Sequence, residues 1–397
     1  MLNSITKAAV VTISAVLLHL GVGSVYAWSV LVRPIMEQTG WTFSSIAMVF
    51  SITILFLGFT AAFFGKRVRE AGARKSCLVS LALFLVGILL SGLAINIRNI
   101  YLLYLSYGVL VGIATGIAYL VPIPILMTWF PRNKGFATGI VVMGFGLSST
   151  FAAIGYDYLI SNYGVSYAIV AVGIVTCLLI VPSIILLRPN DIEVKEERLL
   201  ASDVSSADAI KTGNFRLLWV VFFINIFVGI SILSALAPML VGIFNVSAST
   251  SAQFVGFVAI VNGLSRCAWS TLSDYLGRPL TFIMMVGFEL FALITMFFYT
   301  DYIVFQACVL VLISCYGGMF ATMPGYLADL FGAEKLADIL GIMLAAWGVA
   351  GLIGPNVLAL IYESTGNYES FFMLSIAMMA VSGFITYRLS EKNLLKV

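Results

Sequence analysis

The residue whose type is least expected at its place in this sequence is Arg266, near the middle of the apolar stretch 252–272. Inserting a guanidinium at the centre of a membrane helix costs about 2.5–3.5 kcal/mol, so a chain that keeps one usually needs it for a ligand or a partner. The four positions on either side carry no carboxylate that would neutralise it. Because the planar guanidinium can bind both oxygens of a carboxylate, Arg266 indicates a site for a small organic anion.

Glu289 offers a different counter-ion for Arg266, because it is the only acidic residue inside a predicted membrane span. The depths of the two residues in their helices differ by roughly four residues, or about 6 Å of helix rise, so an ion pair is within reach. A static Arg266–Glu289 pair is therefore the structural alternative to anion binding. The two counter-ions could also alternate during a transport cycle.

Two residues are candidates for proton coupling, Glu289 and His19. His19 is the only histidine in the sequence, and histidine ordinarily titrates near neutral pH. The structural alternative for His19 is a neutral imidazole that packs inside its helix and bonds a backbone carbonyl.

The elements that hold these residues are predicted to be membrane helices. Of the 397 residues, 61% are hydrophobic and 10% are charged, which is more apolar than a soluble domain can bury. A bilayer core offers no water to backbone groups, so the chain must cross it as helices or as a closed barrel. We predict an all-α integral membrane protein with twelve spans, at roughly 9–32, 43–64, 76–96, 101–127, 135–156, 166–187, 217–243, 252–272, 279–299, 303–327, 339–361 and 370–388.

The distribution of basic residues predicts the orientation in the membrane. With the N-terminus in the cytoplasm, every Lys and Arg except Arg33, Arg98 and Arg266 falls in a cytoplasmic segment. Short cytoplasmic loops of membrane proteins show this enrichment. We therefore expect both termini in the cytoplasm and the protein in the plasma membrane.

The longest polar stretch, residues 188–214, divides the chain into two similar halves. We predict an N-terminal six-helix bundle at 1–187, a cytoplasmic linker at 188–214 and a C-terminal six-helix bundle at 215–397. The positions that match between the halves are Phe130, Lys134, Gly139 and Gly146 in the first, and Phe331, Lys335, Gly341 and Gly348 in the second. Two parallel six-helix repeats are typical of transporters that rock one bundle against the other.

Two loops at matching positions predict a cytoplasmic gate. The first is GKRVREAGARK (65–75) and the second is STLSDYLGR (270–278). Gly72 and Gly277 permit tight turns in these loops. The expected gate residues are Arg69, Arg74, Asp274 and Arg278, which could latch helix ends through charge pairs and helix dipoles. The alternative is that the basic residues only anchor the loops in the cytoplasm.

Several segments in both halves resemble the major facilitator superfamily, and more closely its oxalate/formate antiporter family with the related monocarboxylate carriers. These segments are GSVYAWSV (23–30), VGIATGIA (111–118), WFPRNKGFATG (129–139), FRLLW (215–219), NGLSR (262–266) and YGGMFATMPGYLADLFG (316–332). The resemblance implies twelve helices in two bundles and the transport of a small carboxylate. The first gate loop departs from the superfamily, because Arg69 stands where an acid is usual.

The resemblance also implies roles for individual residues. The family binds its anion with the arginine at the position of Arg266. Trp347 stands where the oxalate carrier has a lysine, and a single cation suits a monoanion such as pyruvate, lactate or formate better than a dianion. Asn262, which cannot titrate, replaces an aspartate that takes part in proton coupling in the animal monocarboxylate carriers. The expected substrate-binding residues are Arg266, Asn262, Tyr26, Tyr316, Phe320 and Trp347.

Other classes of function fit the sequence less well. It lacks His-Glu-x-x-His, Gly-x-Ser-x-Gly and the phosphate-binding loop of ATPases, so we expect neither an enzyme nor an ATP-driven pump, and no cofactor or metal. No basic surface suggests nucleic acid. An oxalate/formate-type exchanger and a membrane anion sensor remain alternatives. The expected partners are a small organic anion, the lipid bilayer, and either protons or a counter-transported anion.

Overall fold

The computed structural model describes residues 4–190, 206–332 and 336–394. Every regular element in these residues is helical, which confirms the predicted all-α class. The α-helices are Ser4–Val22, Trp28–Thr39, Phe43–Asn96, Ile100–Leu103, Gly112–Leu120, Pro122–Met127, Lys134–Tyr163, Val165–Leu186, Ser206–Ala209, Gly213–Phe244, Ala248–Leu276, Arg278–Phe298, Tyr302–Phe331, Leu336–Thr365 and Glu369–Leu394. A 3-10 turn, Gly23–Ala27, and a π-helical segment, Tyr104–Val111, connect some of them.

Twelve helical segments of the described chain are long and apolar enough to cross a membrane, as predicted. We number them spans 1 to 12: Thr6–Ala27, Ser45–Gly65, Arg67–Asn96, Ile100–Met127, Lys134–Tyr163, Val165–Leu186, Gly213–Leu236, Gln253–Leu276, Arg278–Phe298, Tyr302–Phe331, Ile339–Thr365 and Glu369–Ser390. Their ends differ from the predicted ones by several residues, because helices continue past the apolar run. The face that carries the loops between spans 2 and 3, 4 and 5, 8 and 9, and 10 and 11 is called the basic face below.

The two gate loops turn at the glycines that the sequence indicates. Gly72 has φ 76° and ψ 166° and interrupts the long helix Phe43–Asn96 within the first turns of span 3. Gly277 has φ 83° and separates spans 8 and 9. Positive φ is strained for side-chain-bearing residues, so glycine is what allows each pair of helices to follow with almost no loop.

Spans 5 and 8 pack closely along the side that joins the two halves of the chain. A Cβ added at Gly139 would lie 2.9 Å from Cα of Cys267, and one at Gly146 would lie 2.7 Å from Cα of Gly263. Both distances are shorter than side chains allow. Glycine therefore lets the two helix backbones approach each other, as small residues do in membrane helix pairs.

Spans 2 and 11 repeat this contact with the halves exchanged. A Cβ at Gly341 would lie 2.8 Å from the carbonyl carbon of Ala61, and one at Gly58 would lie 2.7 Å from Cα of Gly348. Gly341 and Gly348 are the residues that match Gly139 and Gly146 in the sequence. The repeated glycines thus lie in equivalent contacts between the halves, whereas Lys335 of the same pattern falls outside the described residues.

The ends of the predicted linker at 188–214 can be placed, but its residues 191–205 lie outside the described chain. The indole nitrogen of Trp129 donates to the carbonyl of Arg188 at 2.8 Å, and the amide of Asn190 donates to Thr128 Oγ1 at 2.8 Å. These bonds hold the beginning of the segment against the end of span 4 at the basic face.

Candidate functional site

Arg266 lies in the interior where spans 5, 8 and 10 meet. Its side chain is fully buried, and its guanidinium carbon lies 5.2 Å from the centre of the Phe320 ring, a cation–π distance. A Cβ added at Gly146 would lie only 3.0 Å from Arg266 Nε, so the glycine of span 5 leaves room for the guanidinium. The cation is therefore positioned at the boundary between the two halves.

The hydrogen bonds of Arg266 are incomplete. Nε donates to Oδ1 of Asn262 at a long 3.4 Å, and Nη2 has no hydrogen-bond partner among the described residues. Buried polar atoms are nearly always satisfied, and an unsatisfied one in a native fold calls for an explanation. A carboxylate bound at Nη2 would supply both the missing acceptor and the missing negative charge.

Two further buried donors near Arg266 also lack partners in the described chain, Tyr119 Oη and Trp347 Nε1. Their rings contact each other with centroids 5.5 Å apart, and Trp347 lies 4.7 Å from Phe320, which faces Arg266. Arg266 also acts electrostatically on Tyr119. Each of the three groups can donate a hydrogen bond to an anion.

Six aromatic side chains from both halves form one cluster beside Arg266, and we call them the aromatic enclosure: Tyr26, Tyr119, Phe145, Tyr316, Phe320 and Trp347. Trp347 contacts Tyr26 and Phe145 with ring centroids 6.2 and 5.8 Å apart. The hydroxyls of Tyr26 and Tyr316 are hydrogen-bonded at 3.1 Å and join span 1 to span 10. Such walls exclude water and strengthen the charge interaction inside them.

Four of these six aromatic residues are predicted from the sequence, whereas Tyr119 and Phe145 are not. Phe145 packs edge-on against both Tyr26 and Tyr119, with centroids 5.1 and 5.4 Å apart. A weak signal was present, because Phe145 directly precedes the repeated glycine Gly146 that faces Arg266. Tyr119 carried no comparable signal in the apolar run of span 4.

His19 lies behind the enclosure rather than in its wall. Its ring stacks on Tyr119 with centroids 4.9 Å apart and planes 20° apart, and Nε2 is bonded to the carbonyl oxygen of Tyr119 at 3.1 Å. The residue is fully buried. This geometry is that of a packed imidazole bonded to a backbone carbonyl, and it supports the position of Tyr119.

Glu289 has a partner other than Arg266. Its Oε1 accepts from Nδ2 of Asn225 at 2.6 Å, which links span 9 to span 7 inside the second half. The described residues contain no ion pair between Arg266 and Glu289. The static pair weighed from the sequence is therefore not formed in this structure.

The gate residues divide into two groups. Asp274, at the end of span 8, accepts from the backbone amides of Gly135 and Phe136 at 3.1 and 3.0 Å and pairs with Arg278 at 2.6 Å. These amides belong to the first turn of the helix of span 5, where the helix dipole favours negative charge by about 0.3–1 kcal/mol, up to about 2 when partly buried. Asp274 thus connects the halves at the basic face.

Arg278 belongs to the same contact as Asp274. Arg278 extends the Asp274 cluster to Asp329 on span 10, with Nε 3.0 Å from Oδ2. Arg69 and Arg74 are exposed on either side of the break at Gly72. A second polar link between the halves at this level joins Thr138 Oγ1 to the carbonyl of Ala321 at 2.8 Å.

Known proteins share both the sequence pattern and the fold. The sequence profile of the Major Facilitator Superfamily matches residues 11–355 and 268–395. The chain is 25% identical to the oxalate:formate antiporter of Oxalobacter formigenes, over 93% of this chain and 87% of that protein. It is 21% identical to monocarboxylate transporter 14 of Mus musculus, over 86% and 80%. The proton:xylose symporter XylE bound to 6-bromo-6-deoxy-D-glucose shares the fold, with a TM-score of 0.76 and 16% identity over 97% and 96% of the two chains.

Proposed function

Because this chain belongs to the major facilitator superfamily, we propose that it carries a small monocarboxylate, such as pyruvate, lactate or formate, across the membrane by alternating access. The chain is a multi-pass membrane transporter and not an enzyme, and it is related to the oxalate:formate antiporter and to monocarboxylate transporters. The plasma membrane and cytoplasmic termini are part of the proposal, on the basis of the basic residues at one face.

The observation that carries the proposal is the unpartnered Nη2 of Arg266 inside the aromatic enclosure. Leaving a buried cation without a counter-charge costs several kcal/mol, so a protein keeps one where a ligand supplies the charge. The position between the halves suits a carrier, since rocking of the halves about the substrate exposes it to each side in turn. The hydrogen bonds from the first turn of the span 5 helix to Asp274 would hold the basic face closed in one of these states.

The single cation favours a monoanion over a dianion. Trp347 is fully buried and contacts Tyr26, Tyr119, Phe145 and Phe320, so an indole stands where a second positive charge would balance a second carboxylate. An oxalate bound here would leave one carboxylate desolvated and unpaired. Oxalate/formate-type exchange remains the second candidate, because the antiporter of Oxalobacter formigenes is similar over most of the chain.

A ligand panel tests the substrate class. We expect pyruvate, lactate or formate to raise the unfolding temperature of the purified protein in detergent, because a ligand at 100 times its Kd stabilises by about 2.7 kcal/mol. Methyl pyruvate is the matched control, since it has nearly the same shape without the charge. Equal stabilisation by the ester, or none by any carboxylate, would contradict the proposal.

Substituting Trp347 tests the choice between a monoanion and a dianion. We expect Trp347→Lys to improve the affinity for oxalate by about tenfold or more, because a second cation neutralises the second carboxylate, and one such pair is worth at least about 1.4 kcal/mol. Competition by oxalate in pyruvate uptake measures this. Trp347→Met is the control, as it has a similar length and no charge. The idea is wrong if both variants respond to oxalate in the same way.

A further inference from the structure

A second buried polar site lies in the second half, separate from the aromatic enclosure. Glu289 and Asn225 are 1% and 0% exposed. Asn225 Nδ2 donates to Glu289 Oε1 at 2.6 Å, while Glu289 Oε2 and Asn225 Oδ1 have no partner in the described part of the chain. Two acceptor oxygens are therefore left unsatisfied on the two side chains of one hydrogen-bonded pair.

Among the described residues, Glu289 has no cationic partner in an ion pair. Span 9 packs against spans 8, 10 and 12. From span 10, Cys315 lies close enough to Glu289 for an electrostatic interaction.

From this geometry we propose that the Glu289–Asn225 pair binds the proton that is coupled to carboxylate transport. A proton added to Glu289 Oε2 turns that acceptor into a donor, and Oδ1 of Asn225 is the acceptor that belongs to the same pair. A carboxylic acid and a primary amide can then form two hydrogen bonds in a ring, of which the structure shows the first. A hard metal cation such as sodium suits the pair less well than a proton, because such cations bind several oxygen ligands at once and the pair offers two.

The pair is connected to the aromatic enclosure through spans 7 and 10. Phe222, one helical turn before Asn225, packs edge-on against Phe320 with centroids 5.1 Å apart. On span 10, Cys315 interacts with Glu289 while the next residue, Tyr316, lines the enclosure. Spans 7 and 10 therefore contact both the aromatic enclosure and the proton site. The coupling rests on the proposed carboxylate transport, whereas the proton site itself does not.

Transport measurements test the coupling. In liposomes, we expect an inward gradient of about one pH unit to drive about tenfold pyruvate accumulation by the unmodified protein. Glu289→Gln, which keeps the bond to Asn225 and cannot titrate, should lose this accumulation and retain pyruvate exchange. Asp157→Asn, an exposed acid on span 5, is the matched control and should behave as the unmodified protein. Accumulation by Glu289→Gln, or accumulation driven by sodium in place of protons, would overturn the proposal.

An infrared measurement tests the proton site without any substrate. At neutral pH, we expect the protein to show a carboxylic acid C=O band that is absent from Glu289→Gln and present in Asp157→Asn. A missing band in the unmodified protein would reject the proton site even if pyruvate is carried. If the band is present but the protein does not bind pyruvate, the carboxylate function is rejected and the proton site stands.

Discussion

Replacing Arg266 with Gln is expected to abolish saturable monocarboxylate uptake. Removing one partner of a buried charge pair costs about 3–5 kcal/mol, so the Kd should rise about a hundredfold or more. Arg266→Lys keeps the charge and loses the planar fork that binds both oxygens, so it should recover only part of the affinity. Labelled pyruvate uptake into liposomes and ligand-induced stabilisation in detergent measure the two effects.

The control for this result is an arginine outside the site. Arg33 is exposed and pairs with Glu37 at 2.8 Å on the helix after span 1, so Arg33→Gln should transport normally. Surface pairs of this kind contribute about 0–1 kcal/mol. If Arg266→Gln carries pyruvate at the normal rate, the carboxylate is bound elsewhere and the proposed site is wrong.

Replacing Gly341 with Val is expected to prevent closure of the basic face. The new side chain would overlap the backbone carbonyl of Ala61, and overpacking costs about 1–3 kcal/mol, which disfavours this state by roughly 5- to 150-fold. Uptake should fall and the basic face should open. Double electron–electron resonance between spin labels at Ala71→Cys and Tyr275→Cys measures the opening, since both positions are exposed and belong to different halves.

The matched control is Gly256→Val on span 8. A Cβ at Gly256 would meet no heavy atom within 4 Å, so this glycine can change without disturbing a helix contact. The label distance and the uptake should match those of the unmodified protein. An unchanged label distance in Gly341→Val would show that the contact between spans 2 and 11 does not control the closed state.

The sequence by itself determined the membrane architecture and the candidate cation. In a bilayer, each run of about 20 apolar residues must form its backbone hydrogen bonds within its own helix, so a span can be recognised without knowing its neighbours. Arg266 stands out for the same local reason, because a charge within such a run is visible in one dimension. Gly72 and Gly277 were also readable locally, since a tight turn requires positive φ at a single residue.

Only the tertiary structure decided which side chains meet. Spans 4 and 5 are apolar on nearly all sides, so periodicity does not indicate that Tyr119 and Phe145 face Arg266. The Asn225–Glu289 bond joins residues 64 positions apart, and the bond from Phe136 to Asp274 joins residues 138 positions apart. Such pairs depend on how whole helices rotate and pack against each other, which is a property of the assembled bundle and not of any local stretch of sequence.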